Sequence, residues 1–189
     1  MMEQSSRFLT LSGLAGILIG LYALVGTFLI YQMFYQNSDS FYAVLLNSRN
    51  RSLIFLIFSI ILALSLVTIL HLTSRRVKKS GKKFWNPGMR LLATNLAVPL
   101  LTGGILMIIL ILQSVLFLLP ALSLIFYGLA LVNAAKYTRL EIFYMGLFQI
   151  SLGLFAAILP VYGLLFWAIG FGLLHIIYGT VMYYRYEHN

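Results

Sequence analysis

Apolar residues occur in six long runs separated by short polar segments. Each run holds about 20 residues or more, enough for a helix to cross a hydrocarbon layer about 30 Å thick. These runs are apolar on every side, as in "SLIFLIFSIILALSLVTIL", whereas barrel strands alternate apolar and polar residues. The pattern predicts an all-α membrane protein, a polytopic bundle forming a single transmembrane domain over residues 1–189. The predicted spans are 8–31, 53–72, 91–112, 115–135, 140–159 and 164–184.

Composition and charge support this class and predict an orientation. Only 9% of residues are charged, against about 25% in a typical soluble domain. With six crossings, eleven basic residues fall on one side of the membrane, and only Arg49 and Arg51 on the other. Basic loops stay in the cytoplasm, so both termini are predicted to be cytoplasmic. Because topology explains the net charge of +9, we expect no nucleic-acid partner.

The loops on the two sides differ in character. Residues 74–90 are predicted to form a basic cytoplasmic loop, whose positive charges attract anionic lipid head groups or serve only to set topology. On the other side, "FYAVLL" predicts a short interfacial segment. The turn between the third and fourth spans is expected between Gln113 and Pro120. The residues expected to contact anionic lipid are Arg75, Arg76, Lys78, Lys79, Lys82 and Lys83.

Small residues form stripes along three of the predicted helices. Such stripes let membrane helices approach closely and gain packing energy. In the sixth span His175 lies on the same face as Gly172 and Gly179, so the imidazole is expected to point at protein. The glycines predicted to pack between helices are Gly13, Gly16, Gly20, Gly146, Gly153, Gly172 and Gly179.

Polar residues within the spans fall at two depths. Four lie within about 4 Å of the bilayer midplane, counted at about 1.5 Å per residue: His175, Gln149, Tyr127 and Tyr22. A second layer is nearer the cytoplasm: Asn95, Asn133, Glu141 and His71. A polar group without a partner in hydrocarbon costs several kcal/mol, so the residues of each layer are expected to hydrogen-bond one another. Such bonds either only join helices or build a ligand or proton site.

Motifs for specific chemistry are missing from the chain. It has no HExxH, no GxSxG, no paired carboxylates and no phosphate-binding glycine loop. His71 and His175 differ in depth by about 13 Å, too far for two ligands of one haem iron. Three of the four acidic residues lie outside the spans and Glu141 is near an edge, which weakens ion-coupled transport. We therefore expect no metal, no cofactor and no enzymatic activity.

The segments "LIFYGLALVNAAKYT" and "FWAIGFGLLHIIYGTVMYYRYE" resemble the C-terminal half of a family of small six-span bacterial membrane proteins without a known function. The resemblance implies a multi-pass protein of the bacterial inner membrane. The sequence leaves two functions open. One is a non-enzymatic bundle that binds a lipid-like or small apolar ligand, or a membrane partner such as a second copy. The other is a channel or transporter for a neutral solute or protons, with His175 in the path.

Overall fold

The computed structural model describes residues 13–35, 41–79, 85 and 87–186, apart from the side chains of 42 and 76–79. All regular structure in these ranges is helical, and six helices are long and apolar enough to cross a membrane. The predicted all-α, six-span bundle is thus confirmed. The helices are α1 Gly13–Tyr35, α2 Phe41–Leu46, α3 Ser48–Lys79, α4 Pro87–Leu112, α5 Leu119–Tyr137, α6 Leu140–Ile158 and α7 Pro160–Tyr186.

Helices α3 and α4 extend beyond the hydrophobic runs that predicted them. Asn47 caps the start of α3, since its side-chain oxygen accepts the backbone N–H groups of Arg49 and Asn50 at 3.0 and 3.3 Å. At its other end α3 remains helical through Lys79, and α4 already begins at Pro87. Both ends of the segment predicted as a basic loop, 74–79 and 87–90, are therefore helical. Hydropathy marks the part of a helix inside hydrocarbon, and these helices continue into the polar region.

The turn between α4 and α5 lies inside the predicted interval. Helix α4 ends at Leu112, and Ser114 adopts a φ of 61°, in the left-handed region. Helix α5 begins at Leu119 with Pro120 in its first turn, where the missing proline N–H costs nothing.

Helix α2 is buried, in contrast to the interfacial segment predicted for it. Phe41, Val44 and Leu45 are at most 4% exposed. They pack between the ends of the spanning helices, because an apolar face of this size gains more from burial than from contact with head groups. This end of the bundle is opposite to the basic termini of α3 and α7. The residues packed against α2 include Ile30, Ile54, Leu116, Leu119 and Leu164.

Glycines bring two antiparallel helix pairs into backbone contact. In the α1–α7 pair, a Cβ built on Gly179 would lie 2.5 Å from the carbonyl oxygen of Gly13, and one on Gly20 would lie 2.6 Å from that of Gly172. In the α5–α6 pair, a Cβ on Gly146 would lie 2.8 Å from the Gly128 oxygen. All seven glycines predicted as packing positions lie at such contacts, Gly16 against α7 and Gly153 against α5 among them. Further contacts of Gly163 with Pro120 and of Gly170 with Leu124 and Gln149 place α7 between α1 and the α5–α6 pair.

Candidate functional site

His175 is buried, with 4% of its surface exposed, as its place on the small-residue stripe predicts. Its Nε2 lies 2.8 Å from the Tyr127 hydroxyl on α5, and its Nδ1 lies 3.1 Å from the Gly170 carbonyl oxygen on α7. A carbonyl only accepts hydrogen bonds, so Nδ1 carries the hydrogen and the Tyr127 hydroxyl donates to Nε2. Both nitrogens of a neutral imidazole are thereby satisfied.

A π-helical segment in α7, residues Ala168–Leu173, supplies the acceptor for this bond. The backbone N–H of Leu174 bonds to the Ile169 oxygen five residues back, whereas in an α-helix it would bond to Gly170. The Gly170 carbonyl instead accepts bonds from His175 Nδ1 and, at 2.8 Å, from Gln149 Nε2 on α6. One helix irregularity thus joins three helices. We call His175, Tyr127, Gln149 and Gly170 the midplane cluster.

The midplane cluster is tightly enclosed. Gln149 is fully buried, and its Oε1 has no hydrogen-bond partner among the described residues. A cavity of about 40 Å³ adjoins the cluster, with Tyr127, His175 and Tyr178 as its polar lining and apolar residues of α1, α3, α5 and α6 around them. A water molecule occupies about 30 Å³ in the liquid. The cavity therefore has room for about one water and is too small for a lipid chain.

The structure places the other predicted polar residues apart from this cluster. The Tyr22 hydroxyl lies 3.4 Å from Thr68 Oγ1 on α3. Asn95 donates to the Leu91 oxygen of its own helix, and His71 is exposed on α3. The second layer expected from Asn95, Asn133, Glu141 and His71 is thus not a single network. Counting residues from a span centre gives depth but not the direction in which a side chain points around the bundle.

Asn133 and Glu141 belong instead to a larger cleft of about 930 Å³, where the end of α5, the start of α6 and the end of α7 meet. It lies at the basic end of the bundle, and we call it the basic cleft. Its charged and amide residues are Asn133, Lys136, Arg139, Glu141 and Arg185. Its apolar and aromatic lining includes Val132, Leu140, Phe143, Tyr144 and Tyr186.

Glu141 organises the basic cleft. Its Oε1 accepts bonds from Arg185 Nη1 at 3.0 Å and from the Tyr186 hydroxyl at 2.9 Å. The guanidinium of Arg139 lies 3.6 Å from the centroid of the Tyr186 ring, a cation–π contact. The Nε of Arg139 is buried and has no hydrogen-bond partner among the described residues. The lining of the cleft thus holds three cationic side chains and one carboxylate, which is paired with Arg185.

From the sequence, the basic residues of this cleft were interpreted only as determinants of membrane topology. A signal was present, because Lys136 and Arg139 lie in a short connection that a six-span topology places on the same side as Arg185. Of the residues predicted to contact lipid, Arg75 is exposed on α3, and Arg76, Lys78 and Lys79 belong to its last turns. Lys82 and Lys83 lie outside the described residues.

Comparisons of this chain with protein-family models, curated proteins and solved structures find no match. The resemblance to six-span bacterial proteins stays a prediction.

Proposed function

We propose that this chain is a non-enzymatic, multi-pass protein of the bacterial inner membrane that binds a lipid-like, amphiphilic ligand in the basic cleft. The observation that carries the proposal is the cleft itself, about 930 Å³ with a charged wall and an apolar wall. Ligand sites typically measure about 300–1,000 Å³. The midplane cavity of about 40 Å³ cannot take such a ligand, which moves the candidate site from His175 to the end of the bundle.

The midplane cluster supports a structural role within this proposal. Both ring nitrogens of His175 are engaged in hydrogen bonds, so neither is available as a general base without breaking a bond. The bonds of Gln149 and His175 to Gly170 tie α6 to α7. These two helices also carry the walls of the basic cleft, and the cluster thus helps to keep the cleft in shape.

Native mass spectrometry of the protein extracted in mild detergent tests the proposal. We expect the wild-type chain to retain an adduct with the mass of an amphiphile. Asn133→Trp places an indole in the cleft and should remove most of the adduct. Asn95→Trp makes the same change at a half-buried site on α4 outside the cleft and should keep the adduct. A wild-type chain without an adduct, or equal retention by both variants, contradicts the proposal. The same spectra report subunit number, and so test a homo-oligomer or membrane partner.

A channel or transporter for a neutral solute or protons is the second candidate. The observation that favours it is the buried Gln149 Oε1, an acceptor without a partner among the described residues. It belongs to the same cluster as Tyr127 and His175, which line a cavity with room for about one water. Flux into proteoliposomes tests it. Transport through the midplane cluster predicts flux above that of empty vesicles and its loss in His175→Leu. Flux at background rules this function out for the solutes tried.

A further inference from the structure

We propose that the basic cleft recognises the phosphate of an anionic phospholipid, with Arg139 and Arg185 as its main ligands and Lys136 at the rim. This inference rests on the proposed function and specifies its ligand. The site differs from the basic segment of α3, whose contact with lipid needs no pocket. Basic pockets between membrane helices are suited to phospholipid head groups.

The charge of the cleft favours an anion. Lys136, Arg139 and Arg185 supply three positive charges and Glu141 one negative charge, a difference of two. Among the residues that the structure describes in the cleft, the one ion pair joins Arg185 to Glu141, and the Arg185 side chain is still 66% exposed. A bound group with one or two negative charges would neutralise the remainder. A phosphodiester meets this requirement, whereas a zwitterionic head group adds a cation to a wall that already has an excess of positive charge.

Arg139 is oriented for such a group. Its guanidinium is held against the Tyr186 ring, and the residue lines the cleft. Its Nε is closed to solvent, so a phosphate in the cleft would be bound by the terminal N–H groups of the guanidinium. Arginine presents its N–H groups in a planar fork that matches phosphate oxygens in pairs. The ring therefore orients Arg139 before the ligand arrives.

An apolar path leads from the cleft to the bilayer. Leu140 and Tyr144 line the cleft and are also exposed on the outer face of α6. From them a stripe of large, mostly apolar side chains, interrupted by the exposed Ser151, follows one face of α6 to its far end. A lipid can place its head group in the cleft while its chains remain in the hydrocarbon along this stripe. The stripe comprises Leu140, Tyr144, Leu147, Phe148, Leu154, Phe155 and Ile158.

Lipid titration of the full chain, followed by native mass spectrometry, tests this assignment. The probes are phosphatidylglycerol, phosphatidylcholine and oleate, with inorganic phosphate as competitor. We expect phosphatidylglycerol to bind about tenfold more tightly than phosphatidylcholine, which presents the same phosphate together with a cation that the positive cleft disfavours. Oleate, whose carboxylate also accepts from arginine but which has one chain to bury, should bind more weakly than phosphatidylglycerol. Arg139→Gln should remove this preference. Arg90→Gln deletes the same charge at an exposed site outside the cleft and should keep the preference for phosphatidylglycerol.

Glu141→Gln gives a test of opposite sign that does not depend on Arg139. It removes the negative charge and frees Arg185, so phosphatidylglycerol should bind several-fold more tightly. Unchanged or weaker binding overturns the inference. Equal binding of all three lipids, or an equal loss of binding in Arg139→Gln and Arg90→Gln, also overturns the inference. In either case the proposed function, the binding of an amphiphile, would still stand. Displacement by millimolar inorganic phosphate makes the ligand a free anion instead of a lipid. A chain that binds none of the lipids refutes the proposed function as well.

Discussion

At the scale of single residues, the midplane cluster shows how polar atoms are accommodated in an apolar interior. Tyr127 donates to His175, and Gly170 accepts from both His175 and Gln149. Each of these bonds replaces a hydrogen bond to water that the polar group loses when it is buried. The rings of Phe171 and His175 lie 5.9 Å apart at 18°, which helps to fix the imidazole plane. His175 is therefore held from both its edge and its face.

His175→Leu removes both bonds of the imidazole and leaves the Tyr127 hydroxyl without its acceptor. We expect the free energy of unfolding to fall by roughly 1 kcal/mol, since interhelical bonds in membranes average about 0.6 kcal/mol and reach about 1.7. His175→Gln can retain one bond and should cost less. Unfolding by sodium dodecyl sulfate in mixed micelles measures both losses.

Tyr127→Phe is the matched control for this pair. If the two side chains act through their shared bond, the double variant should lose less stability than the two single losses added together. Full additivity, or a His175→Leu variant as stable as the wild type, would refute the structural role of the bond.

At the scale of helices, the sequence predicted the number and order of the spans but not the detail that builds the sites. Runs of apolar residues locate helices in hydrocarbon, and stripes of small residues identified the faces of α1 and α7 that meet. The π segment at Ala168–Leu173 was not predicted, because an apolar pattern does not distinguish four-residue from five-residue hydrogen bonding. The basic cleft was missed for a related reason: Arg139, Glu141 and Arg185 come together only through packing of α5, α6 and α7.

Glycine substitutions separate close packing from helix propensity. Gly179→Ala places a methyl group against the α1 backbone, 2.5 Å from the Gly13 oxygen. We expect it to lower the free energy of unfolding by about 1–3 kcal/mol, the usual cost of overpacking. Gly104→Ala is the control, because nothing in the described structure lies within 4 Å of a Cβ there. It should be neutral or slightly stabilising, since alanine favours helix. Equal effects of the two changes would show that the α1–α7 contact is not tight.

At the scale of the whole molecule, the two ends of the bundle differ. One end is filled by α2, whose Phe41, Val44 and Leu45 are buried among the spanning helices. The other end contains the basic cleft and most of the positive charge. This asymmetry favours a bundle that binds a ligand at one surface over a bundle with a continuous path across the membrane. The outward apolar surface is largest on α3 and α4, where large side chains such as Val67 and Leu101 are about two-thirds exposed and need hydrocarbon to cover them.

The predicted orientation of the bundle decides in which leaflet of the membrane the proposed lipid site lies. The excess of basic residues predicts that the cleft end is cytoplasmic. The chain contains no cysteine, so single cysteines report accessibility without background. Lys136 and Ser48 are exposed at opposite ends of the bundle. A membrane-impermeant maleimide added to intact cells should label Ser48→Cys, and should label Lys136→Cys only after the membrane is opened. Ser80 and Ser40 lie outside the described residues. Ser80→Cys should label as Lys136→Cys does, and Ser40→Cys as Ser48→Cys does. Labelling of Lys136→Cys in intact cells would reverse the orientation and place the basic cleft in the outer leaflet.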